Sequence, residues 1–226
     1  MPADTAAQEG AASAPNAALR ALGLGCERGE RCLFRGLDLD LSPGQCLHVA
    51  GPNGAGKTSL LRILAGLLAP TEGSVQWRGR DIARTREEFG AELAFVGHLN
   101  GIKDDLTVIE NVRLAAEVRG ADDSAQGVHE ALAALRLEDY GEVLARHLSQ
   151  GQKRRVALAR LCARPPAALW ILDEPFNALD ARSIDALRER IEARMAGGGI
   201  VVLTAHQRVE LPAAARRLDL APEAAP

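Results

Sequence analysis

Gly51-Pro52-Asn53-Gly54-Ala55-Gly56-Lys57-Thr58 stands between a short apolar run, Gln45 to Ala50, and a stretch from Ser59 to Leu68 that reads as a helix. The eight residues fit G-x-x-x-x-G-K-[ST], the pattern of a phosphate-cradling loop between a strand and a helix. Glycines let such a loop curl until its N–H groups converge on a phosphate chain. The following helix adds the positive end of its dipole. Gly51, Pro52, Asn53, Gly54, Ala55, Gly56, Lys57, Thr58 and Ser59 are therefore the candidate phosphate-binding residues. Lys57 is expected to neutralise the β- and γ-phosphates and to be catalytic, and the Thr58 hydroxyl to hold Mg²⁺.

Upstream, Leu37-Asp38-Leu39-Asp40-Leu41 alternates with period two, as a half-buried strand does. Residues 19–32 are expected to pair with it as an antiparallel layer, and Ser42-Pro43-Gly44 turns the chain into the next strand. Downstream, 69–73 reads as a loop, and Val75 to Arg78 and Leu93 to Val96 as short strands. From His98 to Leu148 the pattern turns helical, clearest over Val108 to Arg119 and Val128 to Leu135, with Gly120 to Asp123 between them. Ser149-Gln150-Gly151-Gln152 has the form of a capping box opening another helix. Ala167 to Leu172 and Ile200 to Thr204 read as buried parallel strands. Between them Ile184, Leu187, Ile191 and Met195 form one helical stripe, closed by Gly197-Gly198-Gly199. Alternating strands and helices imply a mostly parallel sheet, whose ligands sit at the carboxyl ends of the strands.

Three strands then deliver chemistry to one rim: the phosphate loop, the pair Asp173-Glu174, and His206. An apolar strand ending in Asp supplies what a nucleotide triphosphatase needs opposite its phosphate loop. Asp173 is the candidate Mg²⁺ ligand beside Thr58, and Glu174 can orient or deprotonate the attacking water.

The composition, 47% hydrophobic and 25% charged, is that of a globular protein large enough for a sizeable core. A net charge of −3 offers no electrostatic case for nucleic acid as a partner. No apolar run approaches the ~18–20 residues that span a bilayer. Cys26, Cys32, Cys46 and Cys162 make neither a C-x-x-C pair nor a metal pattern, which suits buried, reduced thiols and a cytosolic compartment. The first residues lack a basic segment followed by an apolar one, so they are not read as a secretory signal. Residues 1–17 and 221–226 are expected to be disordered tails.

Five motifs in order resemble the ATP-binding-cassette (ABC) ATPases: the phosphate loop; Leu148-Ser149-Gln150-Gly151-Gln152, like the signature LSxGQ; Ala168 to Asp173 with Glu174, like the Walker B strand and catalytic glutamate; Asn177-Ala178-Leu179-Asp180, like the D-loop; and His206, like the switch histidine. The resemblance implies an α/β P-loop NTPase fold with an ABC-type core over 18–220: a mostly parallel sheet, an antiparallel β layer and a helical subdomain over about 98–160. It implies ATP and Mg²⁺ as cofactors. It implies a homodimer closed through the nucleotide sites, in which Ser149, Gly151 and Gln152 of one copy meet the γ-phosphate held by the other. Asp180 would act across that interface, and His206 would contact the γ-phosphate and position Glu174 as a catalytic partner. His98 stands where the family carries a glutamine, and takes that residue's metal-side place. Arg28 stands near the position of the family's base-stacking aromatic, so base selectivity is less determined than phosphate binding.

Gly97-His98-Leu99-Asn100-Gly101-Ile102-Lys103 followed by Leu106-Thr107, the run Leu169 to Phe176, and Gly198 to Thr204 further resemble the CcmA group, ATP-binding subunits of the haem exporter of bacterial cytochrome c maturation. The short chain past His206 fits as well. That implies membrane subunits of the CcmB and CcmC type, a peripheral place on the cytoplasmic face of the bacterial inner membrane, and a role in haem export or in release of the haem-loaded chaperone CcmE. An ATPase subunit of another small bacterial ABC exporter, or a soluble ABC ATPase, is the alternative; soluble ones usually carry tandem cassettes or a long coiled-coil insertion.

Overall fold

The structure is a computed structural model and describes residues 17–29, 31–205 and 215–221. His206 lies outside these residues, as do the two tails apart from Ala17 and Ala221.

The strands are β1 (Leu19–Arg28), β2 (Arg31–Leu41), β3 (Cys46–Ala50), β4 (Glu72–Trp77), β5 (Arg80–Asp81), β6 (Leu93–Val96), β7 (Leu169–Leu172), β8 (Ile200–Thr204) and β9 (Ala215–Asp219). The helices are α1 (Lys57–Leu64), α2 (Arg86–Glu92), α3 (Val108–Val118), α4 (Ala125–Ala133), α5 (Gln150–Ala159) and α6 (Ala181–Ala196). The strands form an antiparallel sheet, β2-β1-β4-β5, and a parallel one, β6-β7-β8-β3-β9.

In the parallel sheet the two-residue period of an all-apolar strand becomes visible only through its packing. Leu169 and Ile171 join a core shared with α1 and the antiparallel sheet. Their neighbours Trp170 and Leu172 join a second core on the opposite face, with α3 to α6. β3 and β8 divide in the same way, Val49 and Val202 to the first core, Cys46 and Val201 to the second. Burial on both faces removes any need for polar alternation. The register pairs Val96 with Leu172, Leu172 with Leu203, and Val49 with Thr204, which brings the carboxyl ends of four strands to one rim.

The expected strands and helices are present with shifted ends. The strand expected at 37–41 begins at Arg31, and the helix expected at 128–135 begins at Ala125, behind the Ser124 cap. The strand expected at 75–78 begins at Glu72, inside the stretch read as a loop. Three elements carry no sequence signal, the first being the two-residue strand β5. Helix α2 buries only Phe89, whose ring lies 6.1 Å from that of Trp77. Strand β9, Ala-Arg-Arg-Leu-Asp, is a polar edge paired with β3. Among the described residues no helix is long and apolar enough to cross a membrane. None of the four cysteines forms a disulfide; Cys26 and Cys46 are buried and Cys32 and Cys162 half-buried. Burial pushes the Cys46 thiol up to about 12, so it stays protonated and inert.

Candidate active site

The loop from Gly51 to Thr58 turns from β3 into α1, whose first residue is Lys57. Gly51 has φ +139°, and a Cβ there would collide with the Leu220 carbonyl behind β9, so the loop entrance admits only glycine. Lys57 is 8% exposed, and its ammonium donates to the carbonyls of Gly51 (2.8 Å) and Pro52 (2.9 Å). The lysine is thus held in the ring of its own loop, with its charge at the loop's centre.

Asp173 leaves the end of β7 and is 2% exposed. Its two oxygens each accept a hydroxyl, from Thr58 at 2.9 Å and from Thr204 at 2.8 Å. The first contact joins residues 115 apart in the chain. Thr204, at the end of β8 and fully buried, also accepts the Glu174 amide at 2.8 Å.

Glu174 adopts φ +50°, a left-handed conformation that costs a non-glycine residue about 1–2 kcal/mol. Hydrogen bonds on both sides hold it there: the amide on Thr204, the carbonyl on the Arg154 guanidinium at 2.8 Å. Its carboxylate accepts from the Asn177 amide and lies 3.7 Å from Nδ1 of His98, whose side chain is 68% exposed.

Arg154, on the second turn of α5, is 4% exposed. It donates to the carbonyls of Gly97 (2.8 Å), Asp173 (2.7 Å), Glu174 and Pro175 (3.4 Å), and to the Asn100 side chain (3.2 Å). Desolvation lowers its pKa, and the Asp173 and Glu174 carboxylates oppose that shift. Helix α5 itself starts as its sequence requires: Ser149 accepts the Gln152 amide (3.3 Å), and the Gln152 side chain accepts the Ser149 amide (2.8 Å). A Cβ on Gly151 would come within 2.6 Å of the Ala178 carbonyl, so the signature glycine is required by contact with the turn after β7. Asp180 caps α6 by accepting the Ser183 amide at 2.8 Å, and hydrogen bonding from the Ser183 side chain, then from its amide, lowers its pKa.

Arg28, Arg31, Leu33, Asn53, Gly54, Gly56, Lys57, Thr58, Ser59 and Glu174 line one cleft of about 660 Å³. Gly51, Pro52 and Ala55 shape the loop from behind, and Asp173 sits beneath Thr58. Ser149, Gly151, Gln152 and Asp180 do not line this cleft. Among the described residues no three His, Cys, Asp or Glu side chains converge to hold a metal. Thr58 and Asp173 do offer two adjoining oxygens, the donor type and number with which Mg²⁺ binds protein beside a phosphate. Arg154, Thr204 and Arg31 were not singled out by sequence. Lys153, Arg154 and Arg155 look alike in a row, and only burial distinguishes the middle one.

A family model described as "ABC transporter" matches residues 34–177. The cytochrome c biogenesis ATP-binding export protein CcmA of Methylococcus capsulatus is 48% identical over 205 residues, covering 91% of this chain and 99% of that protein. CcmA 2 of Cupriavidus metallidurans is 47% identical, covering 92% and 98%. Among solved structures, an ATP-binding subunit of an ABC transporter superposes with a TM-score of 0.74 at 29% identity, covering 83% of this chain and 79% of that one.

Proposed function

The chain belongs to the ABC transporter family, as an ATP-binding subunit of the CcmA type, and from that premise we propose how its residues use ATP and what they drive. The observation that carries the reading is the Thr58–Asp173 contact, which joins the phosphate loop to the end of β7 beside the cleft that Thr58 and Glu174 line.

In this reading Gly51 to Ser59 wrap the phosphate chain with main-chain amides, and Lys57 offsets charge on the β- and γ-phosphates. Thr58 and Asp173 would hold Mg²⁺, whose charge would offset that of the phosphate oxygens. Glu174 accepts a proton from the attacking water, with Asn177 and His98 fixing its carboxylate from the side. His98 faces Glu174, so its part is to orient that group. His206 would add a contact to the γ-phosphate. Ser149, Gly151 and Gln152 open a helix N-terminus outside the chain's own cleft, which suits contact with ATP held by a second copy, with Asp180 crossing the same interface. ATP then closes a homodimer and hydrolysis opens it.

The dimer would drive membrane subunits of the CcmB and CcmC type from the cytoplasmic face of the bacterial inner membrane. The work done is haem export or release of the haem-loaded chaperone CcmE, in line with the curated relatives, named cytochrome c biogenesis export proteins.

Glu174→Gln keeps the shape of the site and removes the base. Its steady-state ATPase is expected to fall by about 10²-fold or more, while gel filtration with ATP shows a dimer that the parent protein forms only transiently. Full turnover in this variant would remove Glu174 from the role. Affinity purification from membranes should bring down integral membrane subunits; their absence would sink the exporter assignment.

A further inference from the structure

The phosphate loop and the acidic pair occupy the carboxyl ends of the parallel strands. At the amino end of β7 lies a second concavity, of about 480 Å³. The chain entering β7, from Leu161 to Pro166, lines it together with Trp170 and the last turns of α6, Arg190, Ala193 and Arg194. The entering chain is pinned: Arg119 donates to the Ala163 carbonyl (3.2 Å), and the Asp122 amide to that of Arg164 (2.6 Å). A volume of this order suits a small molecule.

Its charged side chains are all cationic. Arg164, Arg190 and Arg194 line it, and no Asp or Glu does. Arg164 is matched by Glu130 at 3.6 Å. Arg194 folds back against Gly199 and donates to the Gly197 carbonyl (3.3 Å). Arg190 lies beside the Cys162 thiol, whose pKa burial raises against the opposing pull of that arginine, so its neighbour there is uncharged. Arg190 and Arg194 stand one helical turn apart on α6, a spacing at which like charges repel. The clearest sign is Trp170. It is 3% exposed, and its indole N–H is buried with no hydrogen-bond acceptor among the described residues. Buried donors are normally met, and one left unmet is costly. Apart from Cys162 the rest of the lining is apolar, the exposed Pro165 and Pro166 included.

We propose that this concavity binds a small amphiphilic carboxylate, whose acid group accepts from the Arg190 guanidinium and the Trp170 indole while its apolar body covers Pro165, Pro166 and Ala193. Donors without an acceptor call for an anion. A bare anion leaves the apolar walls wet, and a neutral apolar molecule leaves the donors unmet, so one ligand with both parts answers the whole lining. The site stands apart from the nucleotide cleft and does not depend on the nucleotide reading: three residues of extended chain, about 10 Å, separate Trp170 from Asp173.

Calorimetric titration of the full chain with decanoate, below its micelle concentration, tests the site, with 1-decanol as the uncharged probe and succinate as the acid without an apolar body. Decanoate is expected to bind about tenfold or more tighter than either. Arg190→Gln should weaken it about tenfold, as the loss of a charge-assisted contact does, and Trp170→Phe, which keeps a ring and removes the donor, about fivefold. Ala193→Phe, a change at an exposed helix position, should fill the concavity and abolish binding. A second readout is optical. The chain has two tryptophans, so in Trp77→Phe only Trp170 emits, and its fluorescence should change at the calorimetric midpoint. No binding of decanoate to the parent protein overturns the site. So does equal affinity for 1-decanol or succinate, which reduces it to an apolar dent or a bare charge. Parental affinity in both Arg190→Gln and Trp170→Phe, or an unchanged Trp170 emission, places decanoate elsewhere and overturns it as well.

Discussion

Thr204 serves both acidic residues with a single hydroxyl, donating to Asp173 and accepting from the amide of Glu174. Both partners follow the end of β7, so one hydroxyl at the end of β8 holds the two acidic residues. Thr204→Val keeps the shape and strands two buried polar groups, each worth about 1–3 kcal/mol. Stability should therefore fall by about 2–4 kcal/mol in urea denaturation. Glu174, freed from its left-handed backbone, should lose alignment, so turnover should drop more than tenfold even where the protein remains folded. Thr204→Ser keeps the hydroxyl and should retain both properties. A Val variant with parental stability would show that the hydroxyl carries no weight.

Helix α5 is tied to the reacting end of β7 through Arg154. The guanidinium spans carbonyls from the loop after β6 and from three successive residues, Asp173 to Pro175. Burying a guanidinium is costly unless its donors are met, and here backbone carbonyls and the Asn100 side chain meet them. Arg154 thus ties the helix that Ser149 caps to the backbone that carries Glu174. Arg154→Ala should cost about 3 kcal/mol or more, because several buried carbonyls lose a charged donor together. Arg154→Lys should recover only part, since an ammonium cannot reach the same fork of acceptors. Thermal unfolding within about 2 °C of the parent for the Ala variant would show that water replaces these contacts.

At the scale of the molecule, the cleft is complete for binding phosphates and incomplete for enclosing them. Ser149, Gly151 and Gln152, in the segment that resembles the family signature, do not line it, and the proposed dimer assigns them to the ATP held by a second copy. Ser149→Asp separates the local and the global role of that residue. Aspartate is as good a helix cap as serine, so the fold is kept. A carboxylate placed against another copy's γ-phosphate repels it. In a Glu174→Gln background, Ser149→Asp should abolish the ATP-dependent dimer in gel filtration while the monomer binds ATP within about twofold of its parent. Persistence of the dimer would mean that copies pair through another face.

The sequence by itself determined the phosphate loop, the acidic end of β7, the cap of α5 and the alternation of strands and helices, because each is written in neighbouring residues: glycine spacing, a short apolar run, a box of four. Thr107 with Glu110 is a second such box, legible in the same way, and it caps α3 as Ser149 caps α5. Only the tertiary structure decided the strand order, which face of each apolar strand meets which core, the burial of Arg154 between two exposed-looking neighbours, and the bond from Thr58 to Asp173. A strand buried on both faces is apolar throughout, so its pattern cannot say what it packs against. Edge strand β9 and helix α2 bury too little to leave a pattern at all. Contacts across a hundred residues have no local signature, since their energy exists only once the sheet has brought the partners to one rim.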